Sequence, residues 1–228
     1  MYELYIANKN YSSWSLRAWI LMRELEIPFN EHLLHFGQTS RWKDFKKRIS
    51  PSGKVPCLVD HKTTVWDSLA IAEYLAERHD PVWPADPITR AWARSAAAEM
   101  HSGFSELRRC CSMSCGLRIR LTEITAELER DMARISTLWN DGLRRFGGPF
   151  LAGQAFTAVD AFFAPVAFRI QTYSLKLDTA SAAYAIQLLD LGSMRQWYAD
   201  ALKEKIRDES HDTEVLQLGV VLEDLRES

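Results

Sequence analysis

Tyr2-Glu3-Leu4-Tyr5-Ile6-Ala7, the turn Asn8-Lys9-Asn10-Tyr11, and then Ser12-Ser13-Trp14-Ser15-Leu16-Arg17 form the stretch on which the reading turns. The first run is short and apolar enough for a strand. The last opens a helical pattern carried by Leu16, Trp19, Ile20, Leu21 and Leu25. Three hydroxyls therefore stand where a strand has ended and a helix begins. Unpaired backbone N–H groups and the positive end of a helix dipole converge there. A serine can serve as the helix cap, and the same place stabilises an anion such as a thiolate.

Working outward, the pattern alternates. Residues 28–34 read as a second strand and 40–48 as a short helix. Cys57-Leu58-Val59-Asp60 and Thr63-Thr64-Val65-Trp66 read as strands about a His61-Lys62 turn, and 68–78 as a helix with Leu69, Ile71, Ala72 and Leu75 on its apolar side. The order β-α-β-α-β-β-α predicts an α/β layer with a mixed sheet. Pro81, Pro84 and Pro87 then interrupt any helix. This places a linker at 81–87 between a first domain, 1–80, and a second, 88–228. The second domain shows no convincing strand. Its expected helices cover 88–110, 120–146, 157–172, 179–190 and 193–207, with an apolar tail from Val215 that folds back onto the body.

Composition narrows the class. The chain has 228 residues, 47% apolar and 25% charged, with a formal charge of −2. Those are the proportions of a soluble globular protein, with no global bias toward nucleic acid or an acidic membrane. Arg41, Lys43, Lys46, Lys47 and Arg48 alternate with Trp42, Phe45 and Ile49 at helical spacing and read as a solvated helix face. No apolar run reaches membrane-spanning length, and no signal peptide precedes the first strand, so a cytoplasmic protein is expected. Cys57, Cys110, Cys111 and Cys115 fit no common metal-ligand spacing even with His101 nearby. They read as buried thiols, with Cys111 and Cys115 on one helix face. No metal is expected.

Two further pieces belong with the serine turn. Ser50-Pro51-Ser52-Gly53-Lys54-Val55-Pro56 leads directly into a strand, where proline is tolerated. Taken alone, its Val55-Pro56 bond reads as trans; a cis bond would turn Val55 outward to pair with an extended peptide. Asp67-Ser68 begins the next helix. Asp67 is a natural N-cap, and Ser68 with the first-turn amides suits a carboxylate, while Asp67 suits an ammonium. One zwitterionic amino-acid end matches both.

Together these pieces resemble a cytosolic glutathione transferase. The resemblance rests on Ser12-Ser13-Trp14-Ser15-Leu16-Arg17, Gly53-Lys54-Val55-Pro56-Cys57-Leu58, Trp66-Asp67-Ser68-Leu69-Ala70-Ile71-Ala72-Glu73-Tyr74-Leu75 and Thr157-Ala158-Val159-Asp160, in that order along most of the chain. It is nearest to bacterial serine-type relatives of the zeta and omega classes. It implies a thioredoxin-like first domain, an all-α second domain, glutathione as cosubstrate and a homodimer. It further implies that Val55 pairs with the cysteinyl part of glutathione through a cis bond to Pro56. Asp67 and Ser68 would hold the γ-glutamyl end, and Lys54 would assist a carboxylate. Ser12 or Ser13 would donate to the sulfur, with Tyr11 as a third possibility. Thr157 and Asp160 would form the family's capping box. A charge-assisted hydrogen bond of about 1.5–3 kcal/mol lowers a thiol pKa by about one to two units.

The implied activity is detoxifying conjugation or exchange of the glutathione thiolate with a small hydrophobic electrophile. Alternatives are a glutathione-dependent isomerase of the zeta (maleylacetoacetate isomerase) type, or a glutathione-transferase-like binding protein with little turnover. The electrophile is expected between the domains, against Met100, His101, Phe104, Arg108 and Met113. His101 is a candidate acid there, although residues 101–115 depart from the family's pattern.

Overall fold

The computed structural model describes residues 1–227; Ser228, the last residue of the expected second domain, lies outside the described residues. A four-stranded sheet has the order β2-β1-β3-β4. Strand β1 (Tyr2–Ala7) pairs in parallel with β2 (Phe29–Leu34), crossing over through α1 (Ser13–Glu24). It pairs antiparallel with β3 (Cys57–Asp60), and β3 with β4 (Thr63–Trp66). Helices α2 (Thr39–Arg48) and α3 (Ser68–Ala76) complete a thioredoxin-like layer. The mixed sheet is the one the alternating pattern predicts, and the β3–β4 turn falls at His61-Lys62.

Helix α1 is buried almost all round, because it lies between the sheet and the helical domain. Leu16, Ala18, Trp19, Ile20, Leu21 and Met22 are all buried, and so is Arg17. A helix apolar on only one face would leave its other side in water. Here the second side meets α7 (Ala158–Tyr173), so one core runs through both domains.

The second domain is helical: α4 (Pro87–Ser102), α5 (Ser105–Cys110), α6 (Ala126–Phe146), α7, α8 (Thr179–Asp190), α9 (Gly192–Lys203) and α10 (Glu209–Leu218). Three expectations are corrected. The helix expected over 88–110 breaks at Gly103, which is extended, and Phe104, which is left-handed at φ 57°. Glycine permits this tight exit: a Cβ at Gly103 would stand 2.9 Å from the Glu99 carbonyl oxygen. Cys111 follows the end of α5, so Cys111 and Cys115 do not share a helix face; all four cysteines are free and buried. And the domain does contain strands. β5 (Leu117–Leu121) pairs antiparallel with β6 (Gly219–Asp224). Leu117, Ile119 and Leu121 alternate with Arg118 and Arg120, a period of two that marks a strand.

Strand β6 is how the tail returns to the body. The Leu225 N–H donates to the Gly116 carbonyl and the Glu227 N–H to that of Leu202. Among the described residues no helix is long and apolar enough to cross a membrane.

Asp160 anchors α7. Its buried carboxylate accepts the N–H of Thr157 at 2.9 Å, the N–H of Leu151 at 3.0 Å and the hydroxyl of Tyr184 at 2.7 Å. Burial pushes this carboxyl up to about 6, against the pull of those donors. Asp160→Ala leaves several buried donors unsatisfied, each costing about 1–3 kcal/mol. The expected result is a loss of about 3 kcal/mol or more in urea unfolding, with Thr157→Ala costing far less. Equal small losses for both would contradict the anchoring role.

Candidate functional site

Two adjoining cavities lie at the N-terminal end of α1. Both are lined by Trp14, Lys54 and Val55. The first, about 490 Å³, adds Ser12 and an aromatic and basic wall of Phe36, Trp42 and Lys46. The second, about 470 Å³, adds Pro56, Trp66, Asp67 and Ser68. The three sequence pieces singled out above thus meet around one groove, although they stand up to 56 residues apart in the chain (68 − 12 = 56).

The loop ahead of Ser12 is held by the second domain. Glu204 accepts the backbone N–H groups of Lys9 at 2.6 Å and Asn10 at 3.1 Å. The Trp197 indole donates to the Lys9 carbonyl at 2.8 Å, and the Cys115 N–H to the Asn10 carbonyl at 3.1 Å. Tyr11 is buried and donates to Asp212 at 3.0 Å, while Arg226 grips the same carboxylate at 2.8 Å. Burial pushes the Tyr11 phenol up to about 12. Tyr11 is therefore tied to the tail and lines neither cavity, which corrects its candidacy as a thiol donor.

The serines differ in direction. Ser12 lines the first cavity, and its hydroxyl donates to Ser15 Oγ at 2.8 Å. Ser15 Oγ in turn accepts the N–H of Ala7, the last residue of β1, at 3.1 Å. Ser13 lines neither cavity, and its Oγ accepts from Arg169 at 3.4 Å. The structure brings Ser12 to the groove and turns Ser13 away.

The strand lead-in is shaped by Gly53 and Pro56. The Val55-Pro56 bond is cis. Val55 stands two residues ahead of Cys57, where the β3 ladder begins. Gly53 has φ +64°, and a Cβ there would meet the Lys46 side chain at 2.5 Å. The Lys46 stem lies against that bare backbone, and Lys46 lines the first cavity. Lys54 lines both cavities.

At the third piece, Asp67 adopts φ 77° and ψ 136°. Residues other than glycine rarely occupy that region, and such strain gathers at functional sites. Its carboxylate caps α3 by accepting the Leu69 N–H at 2.8 Å. Ser68 is buried at the cavity, and its Oγ has no partner. A buried hydroxyl without a partner is uncommon; here it faces a space that a ligand acceptor fits.

The candidates on α4 and α5 fare differently. Met100, Phe104 and Met113 are buried in the core. His101 lies 3.4 Å from Asp67 and packs edge-on against Trp14 at 5.2 Å, joining the two domains. Burial lowers its pKa, Asp67 pulls it back up, and Arg17 and Arg108 lower it further. Arg108 stacks on the Trp14 ring at 4.8 Å. None of these five lines either cavity. Trp14, Ser15, Trp42 and Lys46 are the site residues that sequence reasoning missed; Trp14 and Ser15 lay inside the motif that drew attention to Ser12.

Residues 11–78 match the family model described as the glutathione S-transferase N-terminal domain. Over that stretch the chain carries a glutathione S-transferase N-terminal domain. Among curated relatives, a dichloromethane dehalogenase of Methylorubrum extorquens is 38% identical over 60 residues, 26% of this chain and 21% of that protein. A probable maleylacetoacetate isomerase of Caenorhabditis elegans is 33% identical over 106 residues, 46% of this chain and 48% of that one. The chain thus spans between a fifth and a half of the length of these relatives.

Solved structures of glutathione transferases share the fold over nearly the whole chain. Glutathione S-transferase unclassified 2 from Bombyx mori has a TM-score of 0.71 at 19% identity, covering 96% of this chain and 99% of that one. A Burkholderia glutathione transferase homolog with bound glutathione has a TM-score of 0.66 at 21% identity, covering 88% and 97%.

The clamp on the loop has a measurable consequence. Glu204→Ala removes the acceptor from two backbone amides in a largely buried place. The expected loss is about 2–4 kcal/mol of stability, read by thermal or urea unfolding. Asp212→Ala, which frees Tyr11 and the tail at a more exposed position, should lose clearly less. A larger loss in Asp212→Ala would move the anchor from Glu204 to the tail.

Proposed function

We propose that the chain is a glutathione transferase in which the Ser12 hydroxyl stabilises the glutathione thiolate. The observation that carries the reading is the single groove lined by Ser12, Val55, Asp67 and Ser68. Its two halves suit the two ends of an extended tripeptide. Ser68 Oγ and the first-turn amides of α3 hold the γ-glutamyl carboxylate, while the Asp67 carboxylate holds its ammonium. Backbone groups of Val55 pair with the cysteinyl unit as an added strand. Lys46 and Lys54 attract the glycyl carboxylate, with Phe36 and Trp42 walling that end.

This arrangement leaves the sulfur at Ser12. A hydroxyl both donates and accepts. When a thiolate takes the Ser12 proton donor, Ser12 Oγ accepts from Ser15 instead, and Ser15 Oγ keeps the Ala7 N–H. The chain Ala7 N–H, Ser15, Ser12 then points entirely toward sulfur, and each bond polarises the next. The N-terminus of α1 adds its dipole. Ser12 needs no general base and is not itself a nucleophile. Trp14 forms the wall between the half-sites and fixes where the second substrate approaches.

Thiolate addition to, or displacement on, a small electrophile is the reaction this site supports. The match to a probable maleylacetoacetate isomerase supports a related reading, in which reversible thiolate addition isomerises a double bond. Family resemblance extends the proposal to a cytoplasmic homodimer divided at residues 81–87.

Retention on immobilised glutathione and dinitrobenzene conjugation are the direct checks. Ser12→Ala should raise the pKa of the bound thiol by about one to two units and cut the neutral-pH rate by about ten- to a hundredfold. Ultraviolet absorbance of the bound thiolate across pH reads the shift. Ser68→Ala should instead weaken glutathione binding about tenfold with the thiol pKa nearly unchanged. A Ser12→Ala protein with an unmoved thiol pKa would remove Ser12 from this role.

A further inference from the structure

Helix α2 carries five cations, Arg41, Lys43, Lys46, Lys47 and Arg48, against one carboxylate, Asp44, and all six are exposed. Among the described residues none of the five forms an ion pair, and neither does Lys54. Surface cations elsewhere do pair. Arg78, Arg94, Arg109, Arg130, Arg134 and Arg145 each reach a carboxylate at 2.7–3.2 Å. Cations in the last turn of a helix offset its dipole, which accounts for Lys46, Lys47 and Arg48. It does not account for Lys43, in mid-helix, or for Lys54, outside the helix.

The first cavity borders this helix. Thr39, Trp42 and Lys46, on one face of α2, line it. Lys43 is four residues on from Thr39 and Lys47 four on from Lys43, so these three form one row beside the cavity wall. Gly37, Thr39 and Lys46 are exposed, which leaves that end of the cavity open to water. A Cβ at Gly37 would meet no atom within 4 Å. The Phe36 and Trp42 rings stack nearly parallel, at 5° and 5.7 Å, to form a flat wall. The lining holds two lysines and no carboxylate.

Size points the same way. In the glutathione reading this cavity takes the sulfur and the glycyl unit, and the second takes the γ-glutamyl unit. Glycine is the smallest residue, yet its cavity of about 490 Å³ matches the other's 470 Å³. Space of that order holds a drug-sized molecule. The glycyl carboxylate brings one negative charge to a face with several unpaired positive ones.

We propose that the thiol peptide accepted here is longer than glutathione: a γ-glutamylcysteinylglycyl chain extended at its glycyl end by acidic residues, which leave the first cavity along Thr39, Lys43 and Lys47. The proposal rests on the glutathione reading of the groove. The sulfur stays at Ser12, and the extension adds specificity only. Lys43 and Lys47 stand about 6 Å apart along the helix. Alternate residues of an extended chain are about 6.6 Å apart, so acids two positions apart fit the row.

Two peptides of equal length test the proposal on the wild-type protein. One is γ-glutamylcysteinylglycine extended by glutamyl-seryl-glutamate; the other carries glutaminyl-seryl-glutamine amide instead. Calorimetric titration at low salt should find the acidic peptide bound about five- to tenfold more tightly, the scale of two exposed ion pairs. Sodium chloride should erase the difference. The double variant Lys43→Gln, Lys47→Gln should lose most of it while glutathione binding stays unchanged, since both residues are exposed and line neither cavity. Glutathione binding with no preference for the acidic peptide, or a preference undiminished in the double variant, overturns the extended site and leaves the glutathione reading intact. Binding of neither glutathione nor either peptide overturns both. A preference that vanishes when the sulfur carries a dinitrophenyl group assigns the Phe36 and Trp42 wall to the electrophile and also overturns the proposal.

Discussion

The carboxylate of Glu204 is the contact on which the rest of the molecule depends. It stands at the end of α9, 192 residues after Ser12 (204 − 12 = 192), and closes onto the amides of Lys9 and Asn10. Those amides belong to the turn between β1 and α1, which has no sheet or helix partner of its own. A loop of that kind normally moves. Held by a buried carboxylate, by Trp197 and by Cys115, it becomes part of the core. Lys9 adds the reverse contact, its ammonium reaching Glu31 and Asp200 at 2.8 Å each. Burial raises the Glu204 pKa, and the two amides and Asn8 pull it down. The helical domain is thus a frame that fixes one serine in the sheet domain.

Fixing Ser12 matters to its proposed role, because a hydrogen bond to a thiolate is useful only when its geometry exists before the ligand arrives. The other two pieces of the groove are fixed by different means. Gly53 lies under Lys46, and the cis bond to Pro56 stands between Val55 and the strand. Asp67 is held in a strained conformation by the Leu69 amide on one side and His101 on the other. His101 lies on α4, so this piece also leans on the second domain. The groove belongs almost wholly to the first domain, yet two of its three corners are set by the second.

Much of this is legible in the sequence, for identifiable reasons. The first-domain strands and helices follow alternation, prolines and caps, which act over a few residues. The placement of Ser12, Val55, Asp67 and Ser68 around one groove follows from strand order. What the sequence hid was long-range. Nothing in the local pattern marks Arg17 as buried; the packing of α7 against α1 buries it. Met100 and Phe104 read as a ligand wall, and only the packing of the second domain buries them in the core. Strand β5 carries a visible alternation of two, but it needs β6, about a hundred residues later, to become a strand. A two-stranded pair cannot be recognised from one strand alone.

Charge completes the argument about what the site accepts. The groove is lined by Lys46 and Lys54, and Arg17, Arg108 and Arg169 lie behind it. The chain as a whole carries a formal charge of −2. These five cations are part of a total of 28 lysines and arginines, and they stand close to a groove whose lining holds one carboxylate, Asp67. Field lines focus most strongly in a cleft with low-dielectric walls, and the walls here are Trp14, Phe36 and Trp42. In the proposed function, a thiolate at Ser12 gains from that field without direct contact with any cation.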